Sequence, residues 1–233
     1  MFLSVLFLLM LNEGCYSKSE KPCSLKEYLI KQIERDLVEL KSLHVHTHDE
    51  YNGHQADTYI RWGRTKCPQG ATLVYDGYAA GNHYSISGSG SNYLCLPKNP
   101  DWKEYTSGEN YGTGKIYGVE YEVFSHKPYP KSFHNQDTPC AVCLTPRSTV
   151  LMIPGKITCH EGWHKEFSGY LMSNMSKVRG SEYICVDEKL ETVPGGKASR
   201  DHSLVFPVEA VCGTLQCPPY VDGREITCIV CSK

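Results

Sequence analysis

The sequence predicts a mainly β protein: two tandem, disulfide-closed β half-domains related by internal duplication, preceded by one N-terminal amphipathic helix. Three observations carry that expectation. First, an aromatic, a glycine and a tyrosine follow a cysteine twice at one spacing. Tyr75, Gly77 and Tyr78 lie 8, 10 and 11 residues after Cys67, and Phe167, Gly169 and Tyr170 lie 8, 10 and 11 residues after Cys159. Second, each copy runs on to a Gly-Ser-x-Tyr-x-Cys stretch, Gly90–Cys95 and Gly180–Cys185, and closes on Cys-x-x-Cys, Cys140/Cys143 and Cys228/Cys231. Third, short runs rich in β-branched or aromatic residues alternate with Gly, Pro, Asn and Ser clusters from residue 58 onward, as strands and turns do.

The elements follow in chain order. Phe2–Leu11 is an apolar run of ten residues, too short to span a bilayer, with small residues Cys15 and Ser17 after it. Residues 1–17 therefore read as a secretory signal peptide. No second apolar run of spanning length occurs, so the expected protein is secreted, with no membrane partner. Removing the signal also removes Cys15 and leaves eleven of the 12 cysteines, an odd number, in an oxidising compartment.

Residues 18–57 comprise a helix and a polar linker. Ser24-Leu25-Lys26-Glu27 forms a capping box, in which hydroxyl and carboxylate satisfy two free amide donors at a helix start. Up to Leu43 there is no Gly or Pro, and Ile30, Ile33, Leu37 and Leu40 recur at 3-4-3 spacing, with Leu25, Leu29 and Val38 broadening the face. Two readings stand: an amphipathic helix packed on its own domain, or a short coiled coil joining two or three chains. Cys23 lies seven residues before Ile30, in phase with the seam and outside both repeats. It is the candidate for an interchain disulfide, giving a homo-oligomer through residues 23–43; a free, modified or differently paired thiol is the other reading. His44, His46 and His48 alternate along the linker beside Asp49 and Glu50. Such a set can bind zinc or copper, but a solvated linker is the preferred reading and no metal or cofactor is assigned.

The first half-domain, 58–148, opens on Tyr59–Trp62 and the second, 149–233, on Val150–Ile153. Leu73–Tyr75 and Tyr117–Val123 are further strand candidates. Gly88-Ser89-Gly90 lacks the Lys-Ser/Thr of a phosphate loop and reads as a turn. The Cys-x-x-Cys pairs have zinc-ligand spacing, yet a secreted chain more often uses them as bridges. A net charge of −2 without a basic stripe excludes nucleic acid as an expected partner.

The ordered cysteines of the second half, Cys159, Cys185, Cys212, Cys217, Cys228 and Cys231, resemble each half of the C-terminal non-collagenous domain of type IV collagen. Cys67-Pro68-x-Gly70 and the Gly-Tyr segments carry the same likeness. Trp62–Pro68 and Ser91–Pro97 look closer to the corresponding domain of sponge short-chain collagens. The likeness covers roughly residues 58–233. It implies the nested pairs Cys67–Cys143, Cys95–Cys140, Cys159–Cys231 and Cys185–Cys228, with the short loop Cys212–Cys217, and leaves Cys23 outside the scheme. The first half lacks the tight pair, and there is no Gly-X-Y repeat, so no collagen triple helix is expected.

Catalytic signatures are absent from the sequence, and no enzyme is expected. His160-Glu161-Gly162-Trp163-His164 aligns with the turn after Cys67 and reads as a turn rather than a metal helix. Glu120 and Glu209 occupy matching places, for which a symmetric structural role is expected. Tyr78, Tyr93, Tyr170 and Tyr183 are matched between the copies and are assigned to the cores. Tyr105, Tyr111, Tyr117 and Tyr129 are unmatched, and two uses stay open for them: an interaction surface or buried packing. Asn174-Met175-Ser176 is the N-glycosylation sequon, expected in an exposed loop. The functional expectation is a secreted structural or adhesive extracellular matrix protein, of a skeletal or shell matrix among other settings, binding matrix proteins or glycans. A secreted lectin-like or defence recognition protein is the alternative.

Overall fold

Strands dominate the chain because, from residue 55 on, its apolar residues come in short runs of up to five, rich in Val, Ile, Leu and Tyr and broken by Gly and Pro. The computed structural model describes residues 29–38, 55–124, 129–197 and 199–233. The signal segment 1–17, Cys23, the capping box and His44, His46 and His48 lie outside the described residues.

A helix covers 29–38, with Leu29, Ile30, Ile33, Leu37 and Val38 exposed. Those ten residues hold fewer than two heptads, whereas a stable seam runs for roughly three to four. The described helix thus argues against the coiled coil read from the 3-4-3 pattern, because a seam this short buries too little to hold two helices in register.

Residues Gln55–Lys233 form one compact unit. Its strands are β1 (Asp57–Trp62), β2 (Thr72–Gly81), β3 (Leu94–Pro97), β4 (Tyr117–Tyr121), β5 (Gln136–Asp137), β6 (Pro139–Thr145), β7 (Val150–Pro154), β8 (His164–Ser173), β9 (Ile184–Asp187), β10 (Ser203–Pro207) and β11 (Thr227–Ser232). A single 3-10 turn spans Lys131–Phe133. The mainly β class is as the sequence predicts.

The strands join in the order β10-β4-β2-β6-β1-β9-β8-β11-β7, with β3 on β2 and β5 on β4. Because β10 also pairs β8, the path from β10 to β8 closes into a circuit. Closure removes most of the exposed sheet edge that a flat array would present. Two pairings link the first six strands to the last five directly. They are the parallel contact Trp62↔Val186 and the parallel run Ser203↔Val119, Leu204↔Glu120 and Val205↔Tyr121.

The strand registers run in step along the chain. In β2–β6, Gly77 faces Cys140 and the register slips between Leu73 and Tyr75. In β8–β11, Gly169 faces Cys228 and the slip falls between Val230 and Cys231, with Phe167 facing Val230 and Lys165 facing Cys231. A Cβ at Gly77 would overlap the Leu96 carbonyl oxygen, and one at Gly169 would overlap that of Val186. The recurring aromatic-x-Gly phrase therefore has a packing cause: β3 and β9 lie too close to β2 and β8 for any side chain there.

Two apolar clusters fill the interior. One gathers Trp62, Tyr93, Val119, Tyr121, Val123, Met172, Val186 and Val205. The other gathers Tyr59, Ala141, Phe167, Leu171 and Val230 around Cys143, Cys185 and Cys228. Of the four matched tyrosines, Tyr93 is buried at 4% exposure and Tyr170 is half-buried, but Tyr78 and Tyr183 are exposed. Assigning all four to the cores was wrong for Tyr78 and Tyr183, since a phenol with a wet edge needs no buried site.

Candidate functional site

Five disulfides brace the unit: Cys67–Cys143, Cys95–Cys140, Cys159–Cys231, Cys185–Cys228 and Cys212–Cys217. The Cys-x-x-Cys spacing acquires a meaning from the strands that carry it. Side chains alternate along a strand, so residues three apart point to opposite faces. Cys140 joins the cluster of Trp62 and Tyr93, while Cys143 joins that of Tyr59 and Phe167. One strand therefore bolts onto neighbours on both of its faces. The same geometry keeps the two sulfurs apart and excludes the shared zinc site that the spacing also allows.

The unmatched tyrosines divide. Tyr129 is buried and Tyr117 half-buried, whereas Trp102, Tyr105 and Tyr111 in the connection between β3 and β4 are exposed by 80%, 78% and 107%. Aromatics this exposed bury little surface among the described residues and are open to a partner.

Glu166 is buried at the slip in β8 and is the hub of a polar network. Its carboxylate accepts hydrogen bonds from Tyr59 Oη at 2.7 Å, Thr145 Oγ1 at 2.9 Å and Ser232 Oγ, and lies 3.3 Å from Arg147 Nη1. Burial raises its pKa, but the Ser232, Tyr59 and Thr145 donors and the Arg147 charge outweigh that and hold it below the ordinary value. Burial and the same carboxylate push the Tyr59 phenol far up. Arg61 makes a second cross-chain tie to Asp187 at 2.6 Å.

A third polar group lies on and beside β4. Glu120, Glu122 and Asp201 bring one oxygen each within 4.8 Å of one another. Glu120 and Glu122 are each only 4% exposed. The Arg200 amide donates to Glu120 Oε1 at 2.9 Å, and His134 Nδ1 lies 3.3 Å from Glu122 Oε2. Glu120 Oε2 and Glu122 Oε1 are buried without a hydrogen-bond partner among the described residues. Burial, then the negative charge of Asp201 and Glu120, pushes the Glu122 carboxyl up to about 7. The sequence reading missed this group. Glu120-x-Glu122 on a strand was visible as two acids on one face, but Asp201 arrives from the far side of the chain.

Glu209, matched to Glu120, is exposed and bridges Glu225 through the backbone. The pair does not share one environment, so the expected symmetric role fails: β4 is covered by β10 on its free side, and Glu209 falls beyond the end of β10. His160 and His164 are exposed, with the Trp163 amide bonded to the His160 carbonyl and Gly162 at φ +77, a turn. Asn174 directly follows β8; it is half-buried, its Nδ2 donating to the Arg179 carbonyl, while Met175 and Ser176 are exposed. No protein-family model matches the chain. Among the described residues no helix is long and apolar enough to cross a membrane.

Proposed function

We propose that the chain is a secreted structural or adhesive component of an extracellular matrix, a skeletal or shell matrix being one setting. It is built from two half-domains of the type IV collagen non-collagenous kind, related by duplication and set without a triple helix. The in-step registers and the matched glycines support the duplication. The five disulfides fit an extracellular, oxidising compartment. The observation that carries the adhesive reading is the exposed set Trp102, Tyr105 and Tyr111, mounted on a cross-linked sheet. Large aromatic side chains with only two torsions offer wide contact area at low entropic cost when they meet a partner protein or glycan. Cys23 links identical chains in this reading, through residues 23–43, and Asn174 carries glycan.

Two experiments test it. Secreted full-length chain is run on gels with and without reductant; a covalent oligomer that collapses on reduction or on Cys23→Ser supports assembly, and a monomer in both lanes removes it. The same material is applied to immobilised matrix proteins and to a glycan array. Matrix binding that weakens at least about tenfold in Trp102→Ala/Tyr111→Ala, at unchanged melting temperature, supports the adhesive surface. Tight saturable sugar binding without matrix association would instead establish the lectin-like alternative.

A further inference from the structure

We propose that Glu120, Glu122 and Asp201 form a binding site for one calcium ion. Two independent observations support it. Their three ligand oxygens lie within 4.8 Å of one another. Oxygens on opposite sides of a calcium ion, each at about 2.4 Å, are separated by about that distance, so all three fit one coordination sphere. Separately, each buried glutamate leaves one carboxylate oxygen bare. The Arg200 amide holds Glu120 Oε1, while Glu120 Oε2, Glu122 Oε1 and the neighbouring His134 Nδ1 are buried without a hydrogen-bond partner among the described residues. A carboxylate oxygen buried without a donor is costly, and a cation supplies what the surrounding protein withholds.

The donor chemistry selects the ion. Three carboxylates and no sulfur make a hard, oxygen-only set, which suits calcium over zinc. Asp201 is exposed, so the site opens to solvent on that side and water completes the six to eight ligands that calcium takes. Few fixed protein ligands and one solvent-facing carboxylate place the affinity among extracellular modules, at a Kd of about 0.1–1 mM. The ion would tie the end of β4 to the loop that leads into β10.

Calorimetric titration of the full oxidised chain with calcium chloride, paired with thermal unfolding, decides the matter. One saturable site per chain and a melting temperature that rises with calcium are expected. Asp201 sits at φ +51, a conformation asparagine tolerates, so Asp201→Asn should keep the calcium-free melting temperature and weaken binding at least about tenfold. Glu120→Gln/Glu122→Gln should abolish saturable binding; if that variant does not fold, Asp201→Asn alone is sufficient. The assignment is overturned by any of three results: no saturable calcium binding below about 10 mM, an affinity unchanged in Asp201→Asn, or zinc binding by these carboxylates where calcium does not bind.

Discussion

The strand pairs β2–β6 and β8–β11 of the Gln55–Lys233 unit run in the same register and differ in the charge they bury. The Cys-x-x-Cys strands β6 and β11 each face a glycine across the same register, and each is bolted to two upstream segments. At the register slip, however, the first half carries Val74, exposed, and the second carries Glu166, buried in its four-donor network. At β4 the asymmetry reverses: Glu120 is buried among acids, and Glu209 is not. The strand registers are thus held in common, whereas each buried polar group draws on both halves: Glu166 on Tyr59, Thr145 and Arg147, and Glu120 and Glu122 on Asp201.

The sharpest way to break the comparison is to cut the bridges. Cys67–Cys143 and Cys159–Cys231 span 76 and 72 residues, so chain-entropy arguments give each at most about 4.5 kcal/mol, the bridge nested inside each shortening the loop it closes. Cys212–Cys217 spans 5 residues and is worth about 2 kcal/mol. Paired Cys→Ser variants, unfolded in denaturant, should show near-equal losses for the two long bridges and roughly half that for the short one. A loss confined to one long bridge would mean that the halves do not fold as equivalents.

How much of this was legible in the sequence differs by residue type. Cysteines are sparse and chemically committed, so their order exposed the frame, and Gly77 and Gly169 stood out because nothing larger fits against Leu96 and Val186. Tyrosines mislead, since Tyr93 is buried with its hydroxyl donating to the Leu204 carbonyl, whereas Tyr78, on β2, is exposed. The helical seam misleads for another reason: spacing reports a face, and the described helix, 29–38, holds fewer than two heptads of it. Glu120, Glu122 and Asp201 were illegible as a group because a parallel pairing of β4 with β10, joined across some eighty residues, brings them together.

The next effect in size concerns Glu166. Glu166→Gln leaves Tyr59, Thr145, Ser232 and Arg147 facing a neutral amide and should cost about 3 kcal/mol, whereas Val74→Ala at the matching slip should change stability by less than about 0.5 kcal/mol. A carboxyl whose folded pKa is depressed contributes stability that is present above its unfolded value and is lost as pH falls through the folded one. Melting temperatures of the native chain should therefore fall as pH drops below the ordinary glutamate range, and those of Glu166→Gln should fall less. Parallel pH curves for the two proteins would remove Glu166 from the account.

The smallest effect separates the matched glutamates most cleanly. Glu209 is exposed and lies outside the acidic group, so Glu209→Gln should shift stability by less than about 0.5 kcal/mol, with or without calcium. Glu120→Gln should behave differently in kind: whatever its melting temperature without the ion, the rise produced by calcium should shrink or vanish, because the substituted residue supplies one of three carboxylates. Thermal unfolding of both variants, in chelator and in millimolar calcium, makes the comparison within one experiment. Equal calcium responses would remove Glu120 from the calcium site. Unequal responses would tie the difference to the strand that covers Glu120 and leaves Glu209 in water.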